Sequence, residues 1–304
     1  MKQNKLGHSN LYVSEIGFGC MSLKGDQISN EKMIHEAISK GINFFDTADL
    51  YEKGMNEESV GKALKDKRKD VILATKGGNE WGEGIDGWRW NPTKGYLKTA
   101  VKKSLQRLGT DYIDLYQLHG GTMDDPIEET IEAFEELVQE GNIRYYGISS
   151  IRPNVIKTYL EKSNISSIMM QYSLLDRRPE EWLDLIEKHN VSVIARGPVA
   201  KGFLANNFER KLSSDGYLQY AEDELKSTLD QLIKEAEKNN LSLQQMALRY
   251  TIDHPVVATA IPGASKLDQL LENVSAANVS PLSEEKRKYL QSLTKEWEYK
   301  QHRE

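Results

Sequence analysis

The chain has 304 residues, 38% of them hydrophobic and 28% charged, and its net charge of −6 is spread along the sequence rather than blocked. That size supports one large core or two modest ones, and without a long lysine/arginine tract or a basic-aromatic stripe the chain is a poor match to nucleic acid. Met1 to Asn10 is polar and lacks the apolar run of a secretory signal, and nothing approaches the roughly 18 consecutive apolar residues of a membrane span. A cytoplasmic protein without a membrane partner is expected, and its single cysteine, Cys20, excludes an internal disulfide. Cys20 reads as a small buried side chain rather than a nucleophile.

In chain order, Leu6 to Val13, interrupted by Gly7 to Asn10, predicts a small hairpin that plugs one end of the fold. Ile16 to Cys20 predicts a first strand. Met33, Ile34, Ala37 and Ile38 recur at helical spacing and stop at Gly41; Leu97, Ala100, Val101, Leu105 and Leu108 do the same before Gly109. Ile127, Ile131, Phe134 and Leu137 mark a third helix, entered through Asp125-Pro126 with Glu128 in the capping-box position and left through Gly141.

The short apolar runs Ile42 to Phe45, Val71 to Thr75, Ile113 to Leu118, Tyr145 to Ile148, Ile168 to Tyr172, Val191 to Ala195 and Val256 to Ile261 read as strands. Their hydrophobicity is nearly continuous rather than alternating, and helices separate them, which predicts parallel strands covered on both faces. With Ile16 to Cys20 they make eight. No linker-like stretch divides the chain, so the expectation is an α/β fold, a (β/α)8 TIM barrel as a single domain over residues 1–304. Asn206 to Glu224 reads as a polar loop, and Leu282 to Trp297 as an extra C-terminal helix capped by Ser283.

In such barrels the loops at the C-terminal ends of the strands build the active site. Asp46 ends the second strand, Tyr51 follows in its loop, Lys76 ends the third strand and His119 the fourth. Taken singly, each is an ordinary cap, solvated end or satisfied polar residue. Converging, they form a proton-transfer device: a lysine cation beside a phenol favours the phenolate, and a carboxylate keeps the lysine charged. The six histidines include no H-x-x-x-H pair and one cysteine cannot complete a zinc set, so no metal is expected. Asp124 and Asp125 could pass for paired catalytic carboxylates, but helix capping by Asp125 explains them better. Gly17-Phe18-Gly19 lacks the third glycine of a dinucleotide fingerprint and reads as a tight strand end.

The segments Phe45-Asp46-Thr47-Ala48-Asp49-Leu50-Tyr51, Ala74-Thr75-Lys76, Leu108-Gly109-Thr110-Asp111-Tyr112-Ile113-Asp114-Leu115 through His119, and Ile261-Pro262-Gly263 with Glu272-Asn273 closely resemble the signatures of the aldo-keto reductase family. The resemblance runs along nearly the whole chain. It implies the (β/α)8 fold, an NADPH/NADP+ cofactor lying extended across the barrel mouth, and reduction of a small aldehyde or ketone by hydride transfer. Carried over by position, Tyr51 is the proton donor, Lys76 tunes it, Asp46 pairs with Lys76, and His119 orients the carbonyl. Gly19, Cys20 and Met21 would lie against cofactor and substrate. The Gly197-Pro198-Val199-Ala200-Lys201-Gly202 loop would pass over the pyrophosphate, its small residues letting backbone amides approach an anion. Gly263, Ser265 and Lys266 open the last barrel helix, where Ser265 and Lys266 would meet a 2′-phosphate, and Gln269, Glu272 and Asn273 match positions at the adenine end.

Trp81 and Trp88, with Trp90, crowd the loop after Lys76, either as substrate wall or as loop packing. Gly120-Gly121 stands where many relatives carry a bulky residue, which implies a roomier pocket. Three positions depart from the family's commonest pattern: Ser150, beside Ser149, in place of Asn; Met169 in place of Gln, with Gln171 as the possible carboxamide partner; and Arg196 in place of a stacking aromatic. Some relatives on this fold bind the cofactor as sensors or regulatory subunits without catalysis, and the four residues do not exclude that alternative. A monomer is expected.

Overall fold

The computed structural model of the chain describes residues 1–206, 208–301 and 303. Two short strands, β1 (Gln3–Lys5) and β2 (Tyr12–Ser14), pair antiparallel around the expected turn. The barrel strands follow: β3 (Phe18–Gly19), β4 (Phe44–Asp46), β5 (Ile72–Gly77), then a two-strand flap of β6 (Asn79–Glu80) and β7 (Arg89–Trp90), then β8 (Ile113–Leu118), β9 (Ile143–Ser149), β10 (Ser167–Gln171), β11 (Ser192–Arg196) and β12 (Val257–Ile261). Strands β3, β4, β5 and β8 to β12 form one parallel sheet in sequence order. Parallel bridges from Ile16 to Ala260 and from Gly19 to Gly263 join its two edges, so the eight strands close into a barrel.

Helices α1 (Gln27–Ser39), α2 (Met55–Leu64), α3 (Lys94–Leu108), α4 (Ile127–Gln139), α5 (Pro153–Lys162), α6 (Glu180–Lys188), α7 (Glu222–Lys238), α8 (Leu243–Ile252), α9 (Leu267–Ser275) and α10 (Glu284–Ser292) complete it. None of the described helices is long and apolar enough to cross a membrane. The larger apolar core lies between strands and helices, where α4 packs Phe134 against Tyr116 and Tyr146. A second core fills the barrel itself: Leu6, Leu11 and Val13 of the hairpin pack on Phe44, Ile72, Ala74, Leu115, Met169 and Ile194. The plug closes the N-terminal end, and the functional groups are left to the other.

Strand alternation then builds the mouth. Two residues beyond Phe44, Ala74, Met169 and Ile194, the next inward positions are Asp46, Lys76, Gln171 and Arg196, and all four line a cavity. Each of these four strands is apolar where it faces the plug and ends on a polar residue at the mouth.

Several local expectations need correction. The α4 N-cap is Pro126, not Asp125; the Asp125 carboxylate takes Thr122 N (2.6 Å), Thr122 Oγ1 and Trp90 Nε1 (both 2.7 Å), pinning the loop before the helix. Glu128 pairs with Lys162 instead of closing a capping box. The extra helix starts at the Ser283 cap but ends at Ser292, because Arg177 Nη1 draws the carbonyls of Gln291 (3.0 Å) and Thr294 (3.3 Å) toward itself. The stretch from 206 to 224 is not all loop: Phe208–Lys211 forms a 3-10 turn and α7 begins at Glu222, while Asn207 lies outside the described residues.

Candidate active site

Asp46, Tyr51, Lys76 and His119 share one cavity of about 870 Å³ at the C-terminal mouth. Lys76 is the centre of the group. Its side chain is 1% exposed, and Nζ donates to Asp46 Oδ2 (2.7 Å), Thr47 O (2.7 Å) and Tyr51 Oη (3.3 Å). An ammonium has three hydrogens, and each has an acceptor. Burial alone would discharge such a group, but the Asp46 carboxylate and the Tyr51 oxygen hold the Lys76 pKa above its usual value. Gln117 Nε2 adds a 3.3 Å bond to Asp46 Oδ1.

Because Tyr51 Oη accepts from Lys76, its own hydrogen is free to point elsewhere. The Tyr51 and His119 rings meet edge to face, 6.0 Å between centroids. His119 is positioned by its backbone, N to Gly77 O at 2.8 Å. Burial, reinforced by the charges of Lys76 and Arg196, pushes its pKa down to about 3, so the ring is neutral at pH 7. Its Nδ1 is buried without a partner among the described residues, which leaves Nε2 as the ring nitrogen facing the cavity. Gly77 is required where it stands, since a Cβ there would lie 1.9 Å from Tyr116 Oη.

The cavity runs from these four residues past Ser149, Ser150, Met169, Gln171 and Arg196, along Gly197, Pro198, Val199, Lys201 and Gly202, to Gly263, Ser265, Gln269 and Asn273. Gly19 and Met21 also line it. Among the described residues, the charged groups on its wall are five cations, Lys76, Arg152, Arg196, Lys201 and Lys211, against one carboxylate, Asp46, on a chain of net charge −6. A long groove so lined attracts a polyanion.

Other expected residues stand apart from the wall. Cys20 is fully buried, its thiol pKa pushed up by that burial. Lys266 is exposed at the N-cap of α9, next to Ser265, and the Glu272 carboxylate is taken by Ser242 Oγ at 2.5 Å. Trp81 lines a separate cavity of about 370 Å³ with Asp49, Tyr96 and Arg107, and Trp88 is 53% exposed in the flap. Neither belongs to the large cavity. The room at Gly120 is partly filled by Trp90, whose ring lies where a Gly120 Cβ would point. Arg152, Lys211, Tyr217 and Tyr299 are wall residues that sequence reasoning missed. Lys211 and Tyr217 fall in the stretch read as featureless loop, and their only signal was charge and an aromatic among polar neighbours.

The profile of the aldo/keto reductase family matches residues 15–295, which span every barrel strand. The chain belongs to the aldo/keto reductase family. Within that family it is 57% identical over 307 residues to the oxidoreductase YqkF of Bacillus subtilis (strain 168), covering 100% of both chains. Among solved structures it is similar to the aldo-keto reductase AKR11C1 from Bacillus halodurans. The holo form matches with TM-score 0.94 and 58% identity, the apo form with 0.86 and 56%, each over 100% of both chains. The glycerol dehydrogenase AKR11B4 from Gluconobacter oxydans matches with TM-score 0.86 at 27% identity, over 96% of this chain and 94% of that one. An aldo-keto reductase barrel and an oxidoreductase class are thereby established.

Proposed function

We propose that this aldo-keto reductase reduces small aldehydes or ketones with NADPH, with Tyr51 as proton donor. The observation that carries the reading is the saturated Lys76 ammonium, whose bond to Tyr51 Oη leaves the phenolic hydrogen for a substrate. When bound, the reduced nicotinamide supplies the hydride.

The chain's own groups serve the oxygen that gains charge. Tyr51 Oη donates its hydrogen there, and the adjacent Lys76 cation stabilises the phenolate that is left. His119, neutral and donating from Nε2, orients the carbonyl without competing as an acid. Asp46 keeps the lysine charged throughout.

The groove suits the cofactor. Lys201 lies within the Gly197–Gly202 loop and Lys211 Nζ donates to its backbone carbonyl at 2.8 Å, so both residues line the stretch where a pyrophosphate would lie. Ser265, Gln269 and Asn273 stand at the far end for the adenosine, with Lys266 one residue from Ser265. Ser149 and Gln171 line the nicotinamide end, and Arg196 takes the place of a stacking aromatic. Steady-state assays with NADPH and a panel of aldehydes and ketones test the reading. Turnover supports it, whereas tight NADPH binding without turnover would make the chain a nucleotide-binding subunit.

A further inference from the structure

Arg196 ends β11 with its guanidinium in the open cavity, and among the described residues it forms no ion pair. A flexible cation would be a poor platform, because fixing it on binding costs conformational entropy. The guanidinium is not left free, however. Its Nη1 donates to Gln171 Oε1 at 3.1 Å, from the parallel neighbour strand β10, where Gln171 and Arg196 are register partners.

The Gln171 amide has an accepting and a donating end, and only its orientation makes it a partner for a cation. Its Nε2 donates to Asp176 Oδ2 at 2.8 Å. A carboxylate accepts only. Were the amide turned over, its oxygen would face the Asp176 oxygens and its NH2 would face the Arg196 N–H, giving two repulsive contacts in place of two bonds.

Asp176 is itself fixed. It is 0% exposed and closes a tight turn after β10 through reciprocal backbone bonds with Ser173 (3.1 and 3.2 Å). Arg178 grips the carboxylate with Nε to Oδ1 (2.7 Å) and Nη2 to Oδ2 (2.5 Å). That guanidinium in turn lies 4.4 Å from the Trp297 ring centroid and 5.7 Å from that of Tyr299, a residue of the cavity wall.

We infer that Asp176 is a positioning residue for Arg196: it sets the Gln171 amide so that its carbonyl oxygen aims the Arg196 guanidinium, and Arg178 anchors it to the C-terminal segment. The inference rests on Arg196 meeting the nicotinamide end of the cofactor. Aiming Arg196 in advance strengthens its discrimination between neutral reduced nicotinamide and the oxidised cation.

The test is a double-mutant cycle read by cofactor binding, not turnover. Dissociation constants for NADPH and NADP+ are measured by fluorescence titration for the parent, Asp176→Asn, Arg196→Met and the double variant. Arg196→Met is expected to lower the ratio of the NADP+ to the NADPH constant. Asp176→Asn is expected to lower it by about threefold to tenfold in the parent and to have no effect on it in the Arg196→Met background. If Arg196→Met shifts the ratio and Asp176→Asn does not, or shifts it equally in both backgrounds, the positioning role is overturned while Arg196 keeps its place. If Arg196→Met leaves the ratio unchanged, the placement of Arg196 fails and the inference falls with it. Should Asp176→Asn unfold, Gln171→Met removes the same link without stranding Arg178 and must give the same narrowing.

Discussion

Lys76 Nζ stands 3.3 Å from Tyr51 Oη and 2.7 Å from Asp46 Oδ2, so one buried cation joins the phenol to its counter-charge. Removing it breaks both relationships. Lys76→Met leaves Asp46 without its ion pair inside the barrel, and stranding one member of a buried pair typically costs about 3–5 kcal/mol. Urea unfolding at pH 7 should show a loss of that order. The loss should shrink toward acid pH, where the stranded carboxylate takes up a proton. A loss that is constant from pH 7 to pH 4 would mean that Asp46 is not the group stranded.

Asp49 carries a second pH signature. Burial, aided by the nearby Glu57 charge, lifts its pKa from 3.8 to about 8, and its Oδ1 has no partner among the described residues. The folded protein therefore holds this proton up to about pH 8 while the unfolded chain releases it near 3.8, so Asp49 makes stability fall as pH rises between those values. Asp49→Asn should become increasingly stabilising as pH rises from about 4 to about 8 and be near neutral in effect below pH 4. Denaturant midpoints from pH 4 to pH 9 check this, and a pH-independent difference would contradict it.

A preference for NADPH over NADH is expected from Ser265 and Lys266. A charge-assisted bond to the 2′-phosphate contributes roughly 1.5–3 kcal/mol, or about ten- to a hundredfold in affinity. Lys266 is exposed beside Ser265 rather than on the cavity wall, so its long stem must swing to reach the phosphate. Titrating parent and Lys266→Ala with both cofactors should show the preference and its loss. Equal affinities in the parent would remove the idea.

Arg196 should favour the reduced cofactor. A guanidinium stacks on flat rings as an aromatic does, yet its charge repels an oxidised nicotinamide. The alternative, in which Arg196 turns away into an acidic partner, is disfavoured by its bond to the neutral Gln171. Replacement by Tyr should narrow the NADP+/NADPH ratio of dissociation constants. An unchanged ratio would assign Arg196 to a phosphate contact instead.

The barrel was legible because its strands are buried on both faces and read as apolar runs between glycine-ended helices. Three of the four candidate catalytic residues were legible for a related reason: Asp46, Lys76 and His119 are polar breaks at the ends of such runs. The parity that puts Gln171 and Arg196 inward was not, since a strand covered on both sides shows no alternation. Nor was the groove's charge, because Arg152, Lys211 and Tyr299 reach the wall only through the return path of the chain. Asp125 misled by position. It precedes a helix, but its oxygens find closer donors in Thr122 and Trp90.

The central claim is that the Tyr51 hydroxyl acts on the substrate oxygen and not on the cofactor, and Tyr51→Phe isolates that one atom. General acid catalysis is typically worth about 10²–10⁴-fold, so kcat for aldehyde reduction should fall by that factor. The NADPH dissociation constant, measured on the same variant, should stay within about twofold of the parent's, a change under half a kcal/mol. A variant that keeps more than about a tenth of the parent's kcat, a loss far short of what a general acid supplies, would contradict the account.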